Sequence, residues 1–223
     1  MQKAKLPFRP VAKSTVLDQI YRQIRELILD GEIGPGQTVT IQSLADAFDV
    51  SAMPVREALH RLTAERALTV VAGRSVGIPP LSRERLEDLT RVRLDIESRA
   101  AAWAAGQVSA ADFARLDRLI ERMDQAANER DRERYVPANR EFHFIVYRAA
   151  GSETMLAVIE SLWLQISPYF NLLHALGNWQ SANHCHRTLR AALADNDAEA
   201  AGKALGADIT GAKEALMQIL EAG

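Results

Sequence analysis

A chain of 223 residues with 25% charged and 48% hydrophobic side chains has the makeup of a folded globular protein, long enough for one large domain or two modest ones. A formal net charge of −2 excludes a protein that holds nucleic acid by bulk positive charge, and no apolar run approaches the roughly 20 residues that a membrane-spanning helix needs. The lone cysteine, Cys185, forbids a disulfide within the chain, and the opening MQKAKLPFRP lacks the apolar core of a signal peptide, so a cytoplasmic location is expected.

Residues 1–13 are polar and basic, contain two prolines, and read as a flexible arm. The spacing then predicts a helix over 15–30, with Val16 or Leu17, Ile20, Ile24, Leu27 and Ile28 as its apolar stripe and Gly31 placed to end it. After a tight connection through Gly31–Gly36, the run IQSLADAFDVSAMPVREALHR from Ile41 to Arg61 has the layout of a helix-turn-helix. Leu44, Ala45 and Phe48 share one helical face, and Val55, Ala58, Leu59 and Leu62 share another. Asp49, Val50 and Ser51 form the turn between them. The Ser51 hydroxyl is expected to cap the second helix, and Pro54 fits only a first helical turn. This leaves Arg56 facing outward with Ala52, Met53 and His60, and an exposed arginine there can reach a base edge or a phosphate. Its plainer alternative is a surface ion pair, with Glu57 of a second subunit or with Glu26.

Leu68–Val71 and Val76–Ile78 flank the turn residues Ala72, Gly73, Arg74 and Ser75, and β-branched runs around such a turn predict a small hairpin. Helix, helix-turn-helix and hairpin together make a winged helix. Pro79 and Pro80, followed by Ser82 as a helix cap, mark a linker at 79–82, so residues 1–80 are expected to form a DNA-binding domain and residues 83–223 a second domain. Ten lysines and arginines face eight acidic residues in the first 80 positions, a small basic bias on the half that holds the helix-turn-helix. Beyond Ser82 no strand pattern occurs. Helices are expected at about 83–106, 110–129, 132–150, 153–175, 179–194 and 197–221, with breaks at Gly106, Asn128, Gly151, Gly177 and Asn196. Pro137 and Pro168 should kink or split two of them. The expected fold class is mainly α: a winged helix with a small β-hairpin wing, then an all-α bundle of six to seven helices.

Asn139 and His143 stand four apart on one helix, the spacing of a two-ligand metal half-site. Arg93 falls on the inner face of its own helix between Leu89, Ile96 and Ala100, where it needs an anion, and Glu97 one turn later is the simplest partner.

Together these features resemble the GntR family of bacterial transcriptional regulators, FadR subfamily. The resemblance is carried by GEIGPGQTVTIQSLADAFDVSAMPVREALHRLTAERALTVV in the first domain and by RVRLDIE, NREFHFIVYRAAGS and HRTLRAALADNDAEAA in the second. It implies a homodimer, probing a DNA operator of two-fold symmetry through the winged helices, and an all-α FCD effector domain. The family commonly has arginine where this chain has Ala52, often another where Gln42 stands, and glycine at Ala67 and Ser75. Direct readout therefore falls more heavily on Arg56 and Arg74, with Ser51, Met53, His60 and Ser75 in lesser roles.

In the second domain the resemblance extends the half-site of Asn139 and His143 to His186 and to Asp208, the latter where a histidine is usual. Two imidazoles and two oxygen donors would suit one divalent ion of Zn, Ni, Mn or Fe with open positions for a ligand. The alternative is a pocket of hydrogen-bonded histidines with Asp208 solvated. The arginine matching Arg93 is the family's candidate for gripping an effector carboxylate, with Asn139, His143, His186 and Tyr169 beside the ligand. A ligand-responsive regulator, acting as a repressor, is thus expected to sense a small carboxylate. The competing readings are a metal-dependent enzyme and a metal-free carboxylate sensor on the same bundle.

Overall fold

The computed structural model describes residues 15–72, 75–175 and 179–222; the arm expected at 1–13, the DNA-contact candidate Arg74 and the break expected at Gly177 lie outside them. Helix α1 spans Val16–Leu29 and opens on a capping box in which the Thr15 hydroxyl accepts from the Asp18 N–H and the Asp18 carboxylate accepts from the Thr15 N–H. Its core side is Ile20, Ile24 and Ile28, joined by Leu29. Leu27, expected in the stripe, is turned about 100° away from Ile28 and is exposed.

Strand β1, Thr38–Thr40, precedes α2, Ile41–Phe48, and α3, Ala52–Ala64. Leu44 and Ala45 pack against Val55, Ala58, Leu59 and Leu62, the shared core expected of the helix-turn-helix. Asp49 ends α2 in the left-handed conformation at φ 52°. Ser51 has the extended backbone of an N-cap, but its hydroxyl makes no capping hydrogen bond. The reason is Pro54. It occupies the third helical position, whose N–H a capping serine ordinarily binds, and proline has no such hydrogen.

The hairpin forms from β2, Thr69–Ala72, and β3, Ser75–Gly77, each displaced by about a residue from the expected runs. β1 adds a third strand, giving the antiparallel order β1-β3-β2. Its three residues are too few to show an alternation, so only pairing with β3 makes them a strand. The central position of Gly77, opposite both Thr38 and Thr69, permits the close approach: a Cβ there would lie 2.6 Å from the Gln37 carbonyl oxygen.

Six helices follow: α4 Arg83–Ala104, α5 Ala110–Glu129, α6 Arg132–Ala149, α7 Glu153–Ala175, α8 Trp179–Ala194 and α9 Ala198–Ala222. Helix α9 packs between α4 and α8, while α5 packs on α6. Gly106, Gly151 and Asn196 take positive φ at helix ends as expected, but α5 turns at Arg130, φ 55°, rather than at Asn128. Pro137 and Pro168 split neither helix; α6 and α7 run through both. Tertiary packing carries them: beside Pro137, Val136 and Ala138 are buried, and Trp163 and Tyr169 anchor α7 on either side of Pro168. Among the described residues no helix is long and apolar enough to cross a membrane.

Candidate metal centre and nucleic-acid interface

The outward face of α3 meets the wing in an open cleft lined by Arg56, His60, Thr63, Val70 and Ser75 among others. The fold thus brings Arg56, His60 and Ser75 together from α3 and β3. Met53 is 65% exposed at the start of α3, Ser51 is exposed beside it, and Ala52 is half-buried. Gln42 lies on the exposed face of α2, where its amide donates to the Asp46 carboxylate at 2.7 Å. Arg56 makes no ion pair among the described residues, and Glu26, its plainer partner, is taken by Arg140 at 2.9 Å. Thr63 and Val70 were not singled out from sequence; Val70 sits in a β-branched run that reads as core, yet it is 63% exposed on an edge strand.

In the bundle, α6 supplies His143, α8 supplies His186 and α9 supplies Asp208, whose ligating atoms all lie within 4.8 Å of one another. His143 Nε2 is 3.5 Å from one Asp208 oxygen, and His186 Nε2 is 3.8 Å from the other. Both histidines are buried, and the Asp208 side chain is 15% exposed, so it is not the solvated carboxylate of the alternative reading.

The surrounding hydrogen bonds determine where the imidazole protons sit. The Tyr147 hydroxyl donates to Glu97 at 2.5 Å, so its oxygen accepts from His143 Nδ1 at 3.3 Å. The Asn183 amide donates to Asp124 at 2.8 Å, which turns its oxygen toward the Tyr135 hydroxyl at 2.9 Å and His186 Nδ1 at 3.3 Å. Each Nδ1 therefore carries its ring's hydrogen. The two Nε2 lone pairs then face one another across 3.2 Å. Such an approach is repulsive unless a cation lies between the lone pairs and the carboxylate, and the donor set fits a divalent metal. Burial holds His143 well below the usual imidazole range and His186 down at about 3, which keeps both neutral as metal ligands must be. Burial, opposed by Arg93, pushes the Asp208 carboxyl up to about 7.

A cavity of about 110 Å³ opens beside this cluster. Asn139, His143, Asp208 and Arg93 line it together with Tyr135, Trp163, Phe170, Trp179 and Cys185. Asn139 thus joins His143 and Asp208 on the cavity wall, whereas His186, expected beside the effector, is not among the lining residues. Arg93 is also there, but its Nε and Nη2 donate to Glu97 at 2.6 and 3.2 Å, and Glu97 further accepts from Trp163 at 3.1 Å. Tyr169 does not join the lining: its hydroxyl donates to the Pro79 carbonyl, while its neighbour Phe170 faces the cavity. Tyr147 and Asn183 were missed from sequence, although helical spacing offered a signal, since Tyr147 follows His143 by four residues and Asn183 precedes His186 by three.

Residues 17–78 match the model of the bacterial regulatory proteins of the gntR family, and residues 88–211 match the FCD domain. The chain belongs to the FCD-containing GntR family, of the FadR type. As a GntR-family member it is a DNA-binding transcriptional regulator rather than an enzyme. It is 29% identical over 184 residues to the HTH-type transcriptional regulator McbR of Escherichia coli (strain K12), covering 81% of this chain and 83% of that one. It is also 29% identical to the Nta operon transcriptional regulator of Aminobacter aminovorans, over 57% of this chain and 60% of the relative. Among solved structures, E. coli McbR/YncC superposes with a TM-score of 0.79 at 25% identity, covering 94% of this chain and 97% of the other. A GntR regulator from Rhodococcus sp. RHA1 shares the fold at a TM-score of 0.72 and 24% identity, over 94% of this chain and 100% of the other.

Proposed function

We propose that this GntR regulator is a cytoplasmic homodimeric repressor whose residues 1–80 bind a two-fold operator and whose residues 83–223 sense a small carboxylate through a bound divalent metal. The observation that carries the sensing half is the pair of buried imidazoles with facing Nε2 lone pairs beside Asp208 and a cavity. His143, His186 and Asp208 would hold the ion, and Asn139 on the cavity wall would complete the oxygen donors. Bound there, the metal supplies an electrophilic anchor for an anionic effector group. His143 and His186 present neutral nitrogens, Tyr147 and Asn183 orient them, and the aromatic wall of Tyr135, Trp163 and Trp179 excludes water from the effector's apolar part.

Arg93 has a different role here from the one the family suggests. With Glu97 already on its fork, it neutralises a buried carboxylate before any effector arrives, which disfavours a metal-free sensor built on that arginine. On the DNA side, Arg56 makes no ion pair among the described residues and lines the cleft between α3 and the wing with His60 and Ser75; Gln42, Ser51, Ala52, Met53 and Arg74 are the further candidates for DNA contact. Substituting Arg56→Ala should weaken specific operator binding by at least about tenfold, the value of a lost bidentate base contact, while size-exclusion chromatography still finds the dimer. Normal operator affinity in that variant would remove α3 from the recognition role. Metal analysis of untagged protein tests the other half: roughly one divalent ion per chain is expected.

A further inference from the structure

On each of α6 and α7, a cavity-lining residue is followed directly by one that contacts the winged helix. On α6, Asn139 lines the cavity and the next residue, Arg140, reaches Glu26 at 2.9 Å and Asp30 at 3.3 Å on α1 and its C-cap. On α7, Phe170 lines the cavity, and the next residue, Asn171, donates its amide to the Gly31 carbonyl just past the end of α1. The fit at that point is close. Gly31 stands at φ +71°, and a Cβ on it would run into the Asn171 amide.

This seam is also where hydrogen bonding is incomplete. Among the described residues, the buried side-chain atoms without a hydrogen bond are Arg25 Nε, Arg85 Nε, Asn171 Oδ1 and Asp30 Oδ1, the last met only by the 3.3 Å ion-pair contact of Arg140. All four belong to residues that bridge the winged helix and the bundle or flank that bridge: Arg25 pairs with Glu160 on α7, and Arg85 donates to the Arg66 carbonyl. Orphaned polar atoms lower the stability of the closed seam relative to an opened one in which water reaches them. A contact weakened in this way, and borne on the same helical turns as the cavity wall, is suited to release.

We propose that Arg140 and Asn171 form a latch that transmits cavity occupancy to α1: an occupant displaces Asn139 and Phe170, and the rigid turns of α6 and α7 carry their neighbours off Glu26, Asp30 and Gly31. The latch rests on the reading of the cavity as the effector site, but it can be tested without an effector or an operator. Hydrogen exchange of the full-length protein, followed in the peptide 26–36, reports the seam directly. Arg140→Gln and Asn171→Ala should each speed exchange there by about tenfold. Filling the cavity by Ala212→Phe, or more gently by Ala182→Leu, should do the same while leaving α2 and α3 protected.

In the combined variant carrying Ala212→Phe with both latch substitutions, exchange at 26–36 should rise no further than in the latch double variant alone. Unchanged exchange at 26–36 in both cavity-filled proteins, with their thermal unfolding still cooperative, would overturn the latch. So would a rise in the combined variant beyond that of the latch double variant. If the filled proteins open the seam while no carboxylate stabilises the wild type in thermal-shift measurements, the latch stands and the effector reading falls.

Discussion

At the scale of single residues, the histidine pair and the Arg93–Glu97 pair show how burial changes what a side chain can do. Each imidazole is committed through Nδ1 to one neighbour, so its Nε2 is the only nitrogen left for a ligand. Replacing Tyr147 by Phe should leave the fold intact yet lower metal affinity about ten- to hundredfold, read by competition with a chromophoric chelator. His143→Ala combined with His186→Ala should abolish stoichiometric metal; retention of the ion by that protein would place it elsewhere. Arg93 and Glu97 are both buried, at 5% and 0% side-chain exposure, and removing one partner strands the other. Arg93→Met is accordingly expected to cost about 3–5 kcal/mol in urea unfolding, whereas an exposed pair such as Lys203–Glu199 contributes little.

At the scale of elements, the two helices of the helix-turn-helix begin in chemically different ways. The Thr40 hydroxyl accepts from the Ser43 N–H at 3.0 Å, and Ser43 bonds back to the Thr40 N–H at 3.1 Å, so α2 carries a complete capping box. Ser51 at the head of α3 has no such bond. Thr40→Ala should therefore destabilise the protein by about 1 kcal/mol, while Ser51→Ala should change stability by no more than about 0.5 kcal/mol. Denaturant midpoints of the two variants make the comparison, and an equal loss in both would show that Ser51 does cap α3. The periodicities of α2 and α3 were legible because each buries one face against the other, whereas the cap at Ser51 was misread because Pro54 signals a helix start and at the same time deletes the donor the cap would use. Strand β1 escaped the sequence altogether, since three residues between a loop and a helix carry no pattern of their own.

At the scale of the whole molecule, the proposed homodimer would carry two winged helices that must meet half-sites on the same face of the duplex. Inserting about five base pairs at the centre of the operator should weaken binding strongly, and inserting about ten should restore part of it, as gel-shift titrations would read. Equal affinity for both spacings would mean that each subunit binds alone. The sequence by itself determined the helical architecture, the winged-helix signature and the half-site of Asn139 and His143, because helical periodicity and local spacing are written within a few residues, while His186 and Asp208 were offered only by the family resemblance. Only the tertiary structure decided what those residues meet. It set the imidazoles from α6 and α8 nose to nose beside the α9 carboxylate, committed Arg93 to Glu97, and drew Tyr169 to the Pro79 carbonyl and Asn171 to Gly31. These are contacts between side chains distant in sequence or choices among competing partners, settled by how the bundle helices and the winged helix pack and by which buried polar groups find one another.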